Sequence, residues 1–163
     1  MERSPVVVAG PVVRGDGRGR QLGFPTANVA VPPGRMPSEA ELPDGVYAGF
    51  LRRADATVLV AALSIGRRPT YYGPEGERLL EAYLPGVDVD LYGETVEVLV
   101  GSLVRDQARF TSSEELVAQI AADVEAVRRL GAGGAPRPWP AADVEGGSPA
   151  RQPSPDGSGR SSG

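Results

Sequence analysis

Between Arg14 and Asn28 the chain reads Arg-Gly-Asp-Gly-Arg-Gly-Arg-Gln-Leu-Gly-Phe-Pro-Thr-Ala-Asn, a density of glycine and arginine that suits anion chemistry. Gly15, Gly17, Gly19 and Gly23 lack a Cβ, so backbone N–H groups there can approach a phosphate closely, and Arg18 and Arg20 add charge to such a cradle. The run is not a dinucleotide fingerprint, because a third glycine at the required spacing is missing. Nor is it a Walker loop, which ends in Gly-Lys-Ser/Thr. Pro25-Thr26-Ala27-Asn28 follows directly, with a hydroxyl and a carboxamide two residues apart. In an extended segment Thr26 and Asn28 share a face, and their neutral oxygens can jointly hold a magnesium–nucleotide complex. The same residues also read as an arginine- and glycine-rich surface loop ending in an asparagine turn. Contact with RNA phosphates is a weaker reading, because interleaved aromatics are missing.

The 163-residue chain contains no cysteine and no histidine, and all 17 of its basic residues are arginine. Disulfide scaffolds, thiol nucleophiles, Ser-His triads and Schiff-base lysine chemistry are excluded by composition. Any general base must be a carboxylate. Glu81 is the candidate, set between apolar neighbours in Leu79-Leu80-Glu81-Ala82-Tyr83-Leu84, a strand that would put Glu81 and Tyr83 on one face. A rim glutamate facing solvent is the alternative. The formal net charge of −4 disfavours nucleic acid as a partner and fits small anionic ligands gathered by a local arginine cluster. No apolar run approaches the roughly 18 residues of a membrane span, so a cytoplasmic protein without membrane contact is expected.

Elements to position these residues follow from patterning. Val6–Val13, interrupted by Gly10-Pro11, predicts a strand with a bulge or at an edge, leading into the glycine stretch. Short extended segments follow at Val29–Val31 and Val46–Leu51. Thr57–Ile65 is continuously apolar and predicts a strand buried on both sides. Val96, Val98 and Val100 alternate with Thr95, Glu97 and Leu99 in a half-buried strand. One helix is predicted after Ser112, which has capping-box spacing to Glu115, with Leu116, Ile120, Val124 and Val127 on its apolar face and Gly131 as its stop. Short strands before a single helix imply a mainly β fold, a small closed antiparallel barrel with a C-terminal helix. Residues 131–163 are rich in Gly, Pro, Ala and Ser and predict a disordered tail in which Trp139 is a solvated linker aromatic, so deleting 132–163 is expected to leave the fold nearly unchanged.

The ungapped pattern Gly-x-Gly-Arg-Gly-x-x-Leu-Gly-Phe-Pro-Thr-Ala-Asn resembles the phosphate loop and following motif of the riboflavin kinases (flavokinases), including the kinase half of bacterial bifunctional FAD synthetases. The resemblance runs to about residue 130, through Ile65-Gly66-Arg67-Arg68-Pro69-Thr70 and Leu80-Glu81-Ala82-Tyr83. It implies a six-stranded, Greek-key-like barrel over residues 1–130 and an ATP- and Mg²⁺-dependent phosphorylation of riboflavin to FMN, with ADP released. Carried over by motif, Gly15, Gly17, Arg18, Gly19 and Arg20 would contact nucleotide phosphates, and Thr26 and Asn28 would hold magnesium and ATP. Glu81 would be the catalytic base, and Arg105 and Phe110 would belong to the loop that closes over the flavin. Tyr83 stands where the family usually has histidine. Arg105-Asp106-Gln107-Ala108-Arg109-Phe110 departs from the common Arg-Asp-Glu-Lys-Lys-Phe by losing an acid and a base. A non-catalytic flavin- or nucleotide-binding module and a kinase for a flavin analogue are the alternatives. A monomer is expected, and one that stops at FMN, because an adenylyl-transferring module does not precede the barrel.

Overall fold

Runs rich in valine, leucine and alanine form the strands in the computed structural model of the chain, which describes residues 6–14, 26–32, 34–67 and 78–141. Six strands lie among the described residues: β1 (Val6–Val13), β2 (Thr26–Val29), β3 (Gly45–Arg52), β4 (Val58–Arg67), β5 (Arg78–Tyr83) and β6 (Thr95–Arg105). All neighbours are antiparallel, and they close into a barrel in the order β1-β2-β5-β4-β3-β6. The helix α1 (Ser113–Leu130) follows. Barrel and C-terminal helix match what the sequence and the resemblance imply.

Strand alternation divides the side chains between an interior and an outer wall. Along β4, Ala61, Leu63 and Ile65 point into the barrel core with Leu51 and Val98, while Val60 and Ala62 point outward and pack with Ala48 and Val127 beneath α1. The apolar run of β4 is therefore covered on both sides. One barrel end is closed by the segment before β3, which inserts Leu42 at 1% exposure. Arg78 fastens this segment, donating from Nε to Asp44 at 2.8 Å, from Nη1 to the Pro37 carbonyl at 2.6 Å and from Nη2 to the Leu42 carbonyl. At the β3–β4 hairpin Arg53 and the Ala54 N–H donate to Glu94. The hydrogen bond from Arg53 holds the Glu94 carboxyl below its ordinary range, so this brace is present at neutral pH and is lost as pH falls through the depressed value.

Two strand expectations are corrected. The short strand placed at Val29–Val31 begins at Thr26 and ends at Val29, because Pro11 accepts from the Ala30 N–H but has no N–H to return the bond, and the Val31 N–H turns back to the Val29 carbonyl. Thr26 and Asn28 thus lie on the strand itself. β1 sits inside the closed sheet, pairing with β6 from Val6 to Pro11 and with β2 only at Val12 and Val13. Gly10 is needed where β1 passes the end of β2, since a Cβ there would lie 2.2 Å from the Ala30 carbonyl oxygen.

Ser112 caps α1, accepting the Glu115 N–H at 3.2 Å, while the Glu115 carboxylate reaches one residue further back to the N–H and hydroxyl of Thr111. On the barrel side the helix carries Asp123, only 5% exposed, a charge within the apolar face that the sequence reading passes over. Arg105 of β6 answers it with two 2.8 Å bonds, Nε to Oδ1 and Nη2 to Oδ2, and Gln119 adds a third at 2.9 Å. Bidentate pairing of this kind fixes orientation as well as proximity.

Beyond Gly131, residues 131–141 are described, and Trp139 is half-buried with the Arg52 guanidinium 5.1 Å from its ring centroid. Arg52 is itself held by Glu97. The solvated linker tryptophan expected from composition is instead docked on the wall. Its indole N–H is buried without an acceptor, which offsets part of what the stacking contributes.

Two outcomes follow from these contacts. A chain ending at Gly131 should melt about 3–6 °C below one ending at Ala141, the shift that roughly 1 kcal/mol produces in a domain of this size, and Trp139→Ala should reproduce most of the loss. Equal melting temperatures would show that the docked tryptophan contributes nothing. Asp123→Ala leaves the Arg105 guanidinium partly buried without its carboxylate, and should lower stability to denaturant by about 2–4 kcal/mol.

Candidate active site on the outer wall of the barrel

The register of three neighbouring strands places the chemistry-bearing residues in rows. Asn28 of β2 is paired with Glu81 of β5, and Glu81 with Ser64 of β4. The row continues through Val46 of β3 to Arg105 of β6. The next row holds Thr26, Tyr83 and Ala62. Directly opposed residues share a face, and Ala62 and Tyr83 pack with the cluster beneath α1, so both rows belong to the outer wall. Their inward alternates Ala27, Leu80, Ala82 and Leu63 line the barrel core.

Thr26, Asn28 and Glu81 are thus brought onto one patch, with neighbouring strands about 4.8 Å apart. Glu81 is half-buried on the wall, neither inside the barrel nor fully exposed at its rim. Tyr83 is half-buried and packs on the Ala48, Ala62 and Val127 cluster, linking the patch to the helix. Gly15, Gly17, Arg18, Gly19 and Arg20 lie outside the described residues, but both anchors of their segment are described. β1 ends at Val13, which is paired with Asn28, and β2 begins at Thr26. The glycine segment is therefore joined to the sheet beside Glu81. Arg14, the last described residue before it, has its guanidinium 4.5 Å from the Tyr92 ring centroid.

Across the wall, Arg105 is engaged by Asp123 through Nε and Nη2 and by the Asp106 carbonyl at 3.1 Å through Nη1. Its guanidinium carbon lies over the Phe110 ring, 5.6 Å from the centroid. The loop from 106 to 112 then lays Gln107 back over β4, with Nε2 2.9 Å from both Ser64 Oγ and the Ile65 carbonyl oxygen. Ser64 and the function of Gln107 were not singled out from the sequence. The signal available was Ser64 at the head of the Ser-Ile-Gly segment, two residues before a glycine in a strand.

No group of three or more histidine, cysteine or acidic side chains among the described residues could hold a metal ion by itself. An ion held by Thr26 and Asn28 would take neutral oxygens together with oxygens of its substrate. Magnesium binds in that manner, usually keeping water and phosphate ligands, and Thr26 with Asn28 offers a hydroxyl and a carboxamide on one face.

Comparison with known proteins identifies the family of the chain. Residues 2–130 match the family described as Flavokinase, riboflavin kinase. The bifunctional riboflavin kinase/FMN adenylyltransferase of Escherichia coli (strain K12) is 41% identical over 119 residues, which cover 73% of this chain and 36% of that protein. Among solved structures, riboflavin kinase from Trypanosoma brucei gives a TM-score of 0.56 at 27% identity, covering 78% of this chain and 80% of its own. A Streptococcus pneumoniae chain described as a macrolide-efflux protein gives 0.65 at 35% identity, covering 77% of this chain and 39% of its own. The chain spans 36–38% of the length of the bifunctional relatives it matches. By its sequence over residues 2–130 and by its barrel, the chain belongs to the riboflavin kinase family.

Proposed function

We propose that the protein transfers the γ-phosphoryl group of ATP to the primary hydroxyl of the ribityl chain of riboflavin, giving FMN and ADP. The observation that carries this reading is the register pairing Asn28 with Glu81, on the wall where the glycine segment is joined to the sheet. Phosphoryl transfer is mostly positioning and electrostatic stabilisation, so a cradle, a phosphate-neutralising cation and one proton acceptor suffice. Gly15, Gly17, Arg18, Gly19 and Arg20 supply the cradle for the nucleotide phosphates. Thr26 and Asn28 would hold Mg²⁺, which when bound neutralises charge on the phosphates. Glu81 accepts the proton of the primary hydroxyl as that oxygen bonds to the γ-phosphorus and the bond from the γ-phosphorus to the β-bridging oxygen breaks. ADP leaves with the bridging oxygen. Phe110 and the loop that carries it border the flavin side, and Arg105 serves them by holding the ring and the helix in place.

The family membership, the family of the Trypanosoma brucei neighbour and the site geometry all support a small-molecule kinase. The formal charge of −4 argues for small substrates over nucleic acid, and no helix among the described residues is long and apolar enough to cross a membrane. A monomer working in the cytoplasm is the simplest setting for this reading.

The direct test is incubation with Mg-ATP and riboflavin and separation of FMN by chromatography; absence of FMN would reject the activity. Glu81→Gln keeps shape and hydrogen-bonding reach but cannot accept the proton, so kcat should fall by about 10²-fold, the low end of what a general base contributes, with both KM values little changed. Retention of wild-type kcat in this variant, together with loss of activity in Asp16→Asn, would move the base to the glycine segment. Thr26→Val and Asn28→Ala should each flatten the magnesium dependence of nucleotide binding, measured by calorimetry at varied magnesium. Unaltered titrations in both would place the ion elsewhere.

A further inference from the structure

Gln107 donates from one nitrogen to two acceptors, Ser64 Oγ and the Ile65 carbonyl oxygen, each at 2.9 Å. A backbone carbonyl can only accept, so the amide nitrogen must face Ile65, and the orientation of the amide is fixed by chemistry. Both amide hydrogens are then used on β4, and Oε1 is left as an acceptor turned away from them. Ser64 Oγ receives a hydrogen bond from Gln107 and keeps its own proton to donate. Gly66 makes room for this arrangement, since a Cβ there would lie 3.0 Å from Gln107 Nε2 and 3.3 Å from Cδ. A glutamate at 107, as in the motif the loop resembles, could not donate to Ile65 when ionised. The amide in this chain sets the polarity of the bridge.

The result is one neutral donor and one neutral acceptor side by side on the outer wall, with Ser64 directly paired to Glu81. A secondary alcohol both donates and accepts, and is matched by such a pair. We propose that Ser64 and Gln107 read the secondary hydroxyls of the substrate's polyol chain, selecting a ribityl flavin over one whose side chain carries only the terminal hydroxyl. This rests on the proposed kinase reaction and adds its specificity. A chain whose terminal hydroxyl lies at Glu81 passes Ser64 after about one strand spacing, roughly 4.8 Å, which is within reach of the hydroxyls next to the reacting one. Because the pair is uncharged, it recognises the alcohol without attracting the phosphates of the nucleotide.

The experiment compares riboflavin with a flavin bearing a 5-hydroxypentyl chain at the same ring nitrogen, using the full chain with Mg-ATP. Wild type should prefer riboflavin in kcat/KM. Ser64→Ala and Gln107→Leu should each shrink that preference by about three- to tenfold, the worth of one neutral hydrogen bond, with the loss in KM for riboflavin and none in KM for ATP. Ser64→Thr keeps the hydroxyl and should keep the preference. Gln107 is exposed, so Gln107→Leu tests the idea even if Ser64→Ala were poorly folded. An undiminished preference in both variants overturns the proposal, as does equal behaviour of Ser64→Thr and Ser64→Ala, which would make the role one of packing. Wild type that phosphorylates neither flavin rejects the kinase reading itself. Activity on both flavins with no preference for riboflavin rejects only the polyol pair.

Discussion

The meeting of Thr26 and Asn28 with Glu81 depends on the register of β2 against β5. β2 is four residues long and touches β1 at only two positions, yet it closes the barrel and carries both Thr26 and Asn28. A slip of one residue would turn these two inward and expose Ala27 and Val29. The inward side resists such a slip. Val29 is 5% exposed and Ala27 packs on the same core, with Leu80 and Ala82 of β5 as its neighbours. Burial of small apolar side chains inside the barrel thereby fixes the spacing of polar groups outside it.

A small barrel leaves little choice about where chemistry can occur. Its interior is only wide enough for its own side chains, here filled by leucine, valine, isoleucine and Tyr47, so a substrate must be met at an end or on the wall. One end is stopped by Leu42 and fastened by Arg78. The wall is divided between α1, which covers parts of β3, β4 and β6, and the β2–β5–β4 face that carries Asn28, Glu81 and Ser64. Tyr83 stands at the border, in the Glu81 strand and against the helix cluster. A tyrosine suits that place better than a smaller polar residue would, because its ring packs on the helix cluster while its polar tip allows only partial burial.

The residue types of the candidate site were legible in the sequence, and their arrangement was legible only in part. Alternation in β5 and the Pro-Thr-Ala-Asn turn already set Glu81 with Tyr83 and Thr26 with Asn28 on common faces. Period-two patterning says which face a residue occupies, but it does not say which strand lies alongside, and Asn28 and Glu81 are far apart in sequence. The strand count likewise came from the resemblance, because Gly10-Pro11 and Pro32-Pro33 blur the strand ends. Asp123 was hidden for a different reason. A single acid in an amphipathic helix looks like part of the solvated face until its partner is known, and Arg105 is contributed by a strand end. Trp139 was misread because its glycine- and proline-rich neighbours cannot form a core, although one large ring needs only a cation held in place, and Glu97 holds Arg52 for it.

Arg105 connects stability to function at the seam between barrel and helix. With Nε and Nη2 on Asp123 and Nη1 on the Asp106 carbonyl, three of its five N–H groups are engaged within the seam, and its guanidinium lies over the Phe110 ring. Its bidentate pairing with Asp123 makes it a residue that positions the loop and the helix. The same pairing fixes where β6 ends and the 106–112 loop begins, and so where Gln107 can reach β4. Ser64 has no such dependence, being held in register by Val46 on one side and Glu81 on the other. In the proposed polyol pair the acceptor is therefore carried by the loop and the donor by the sheet, and the Arg105–Asp123 pairing stands where that loop leaves β6.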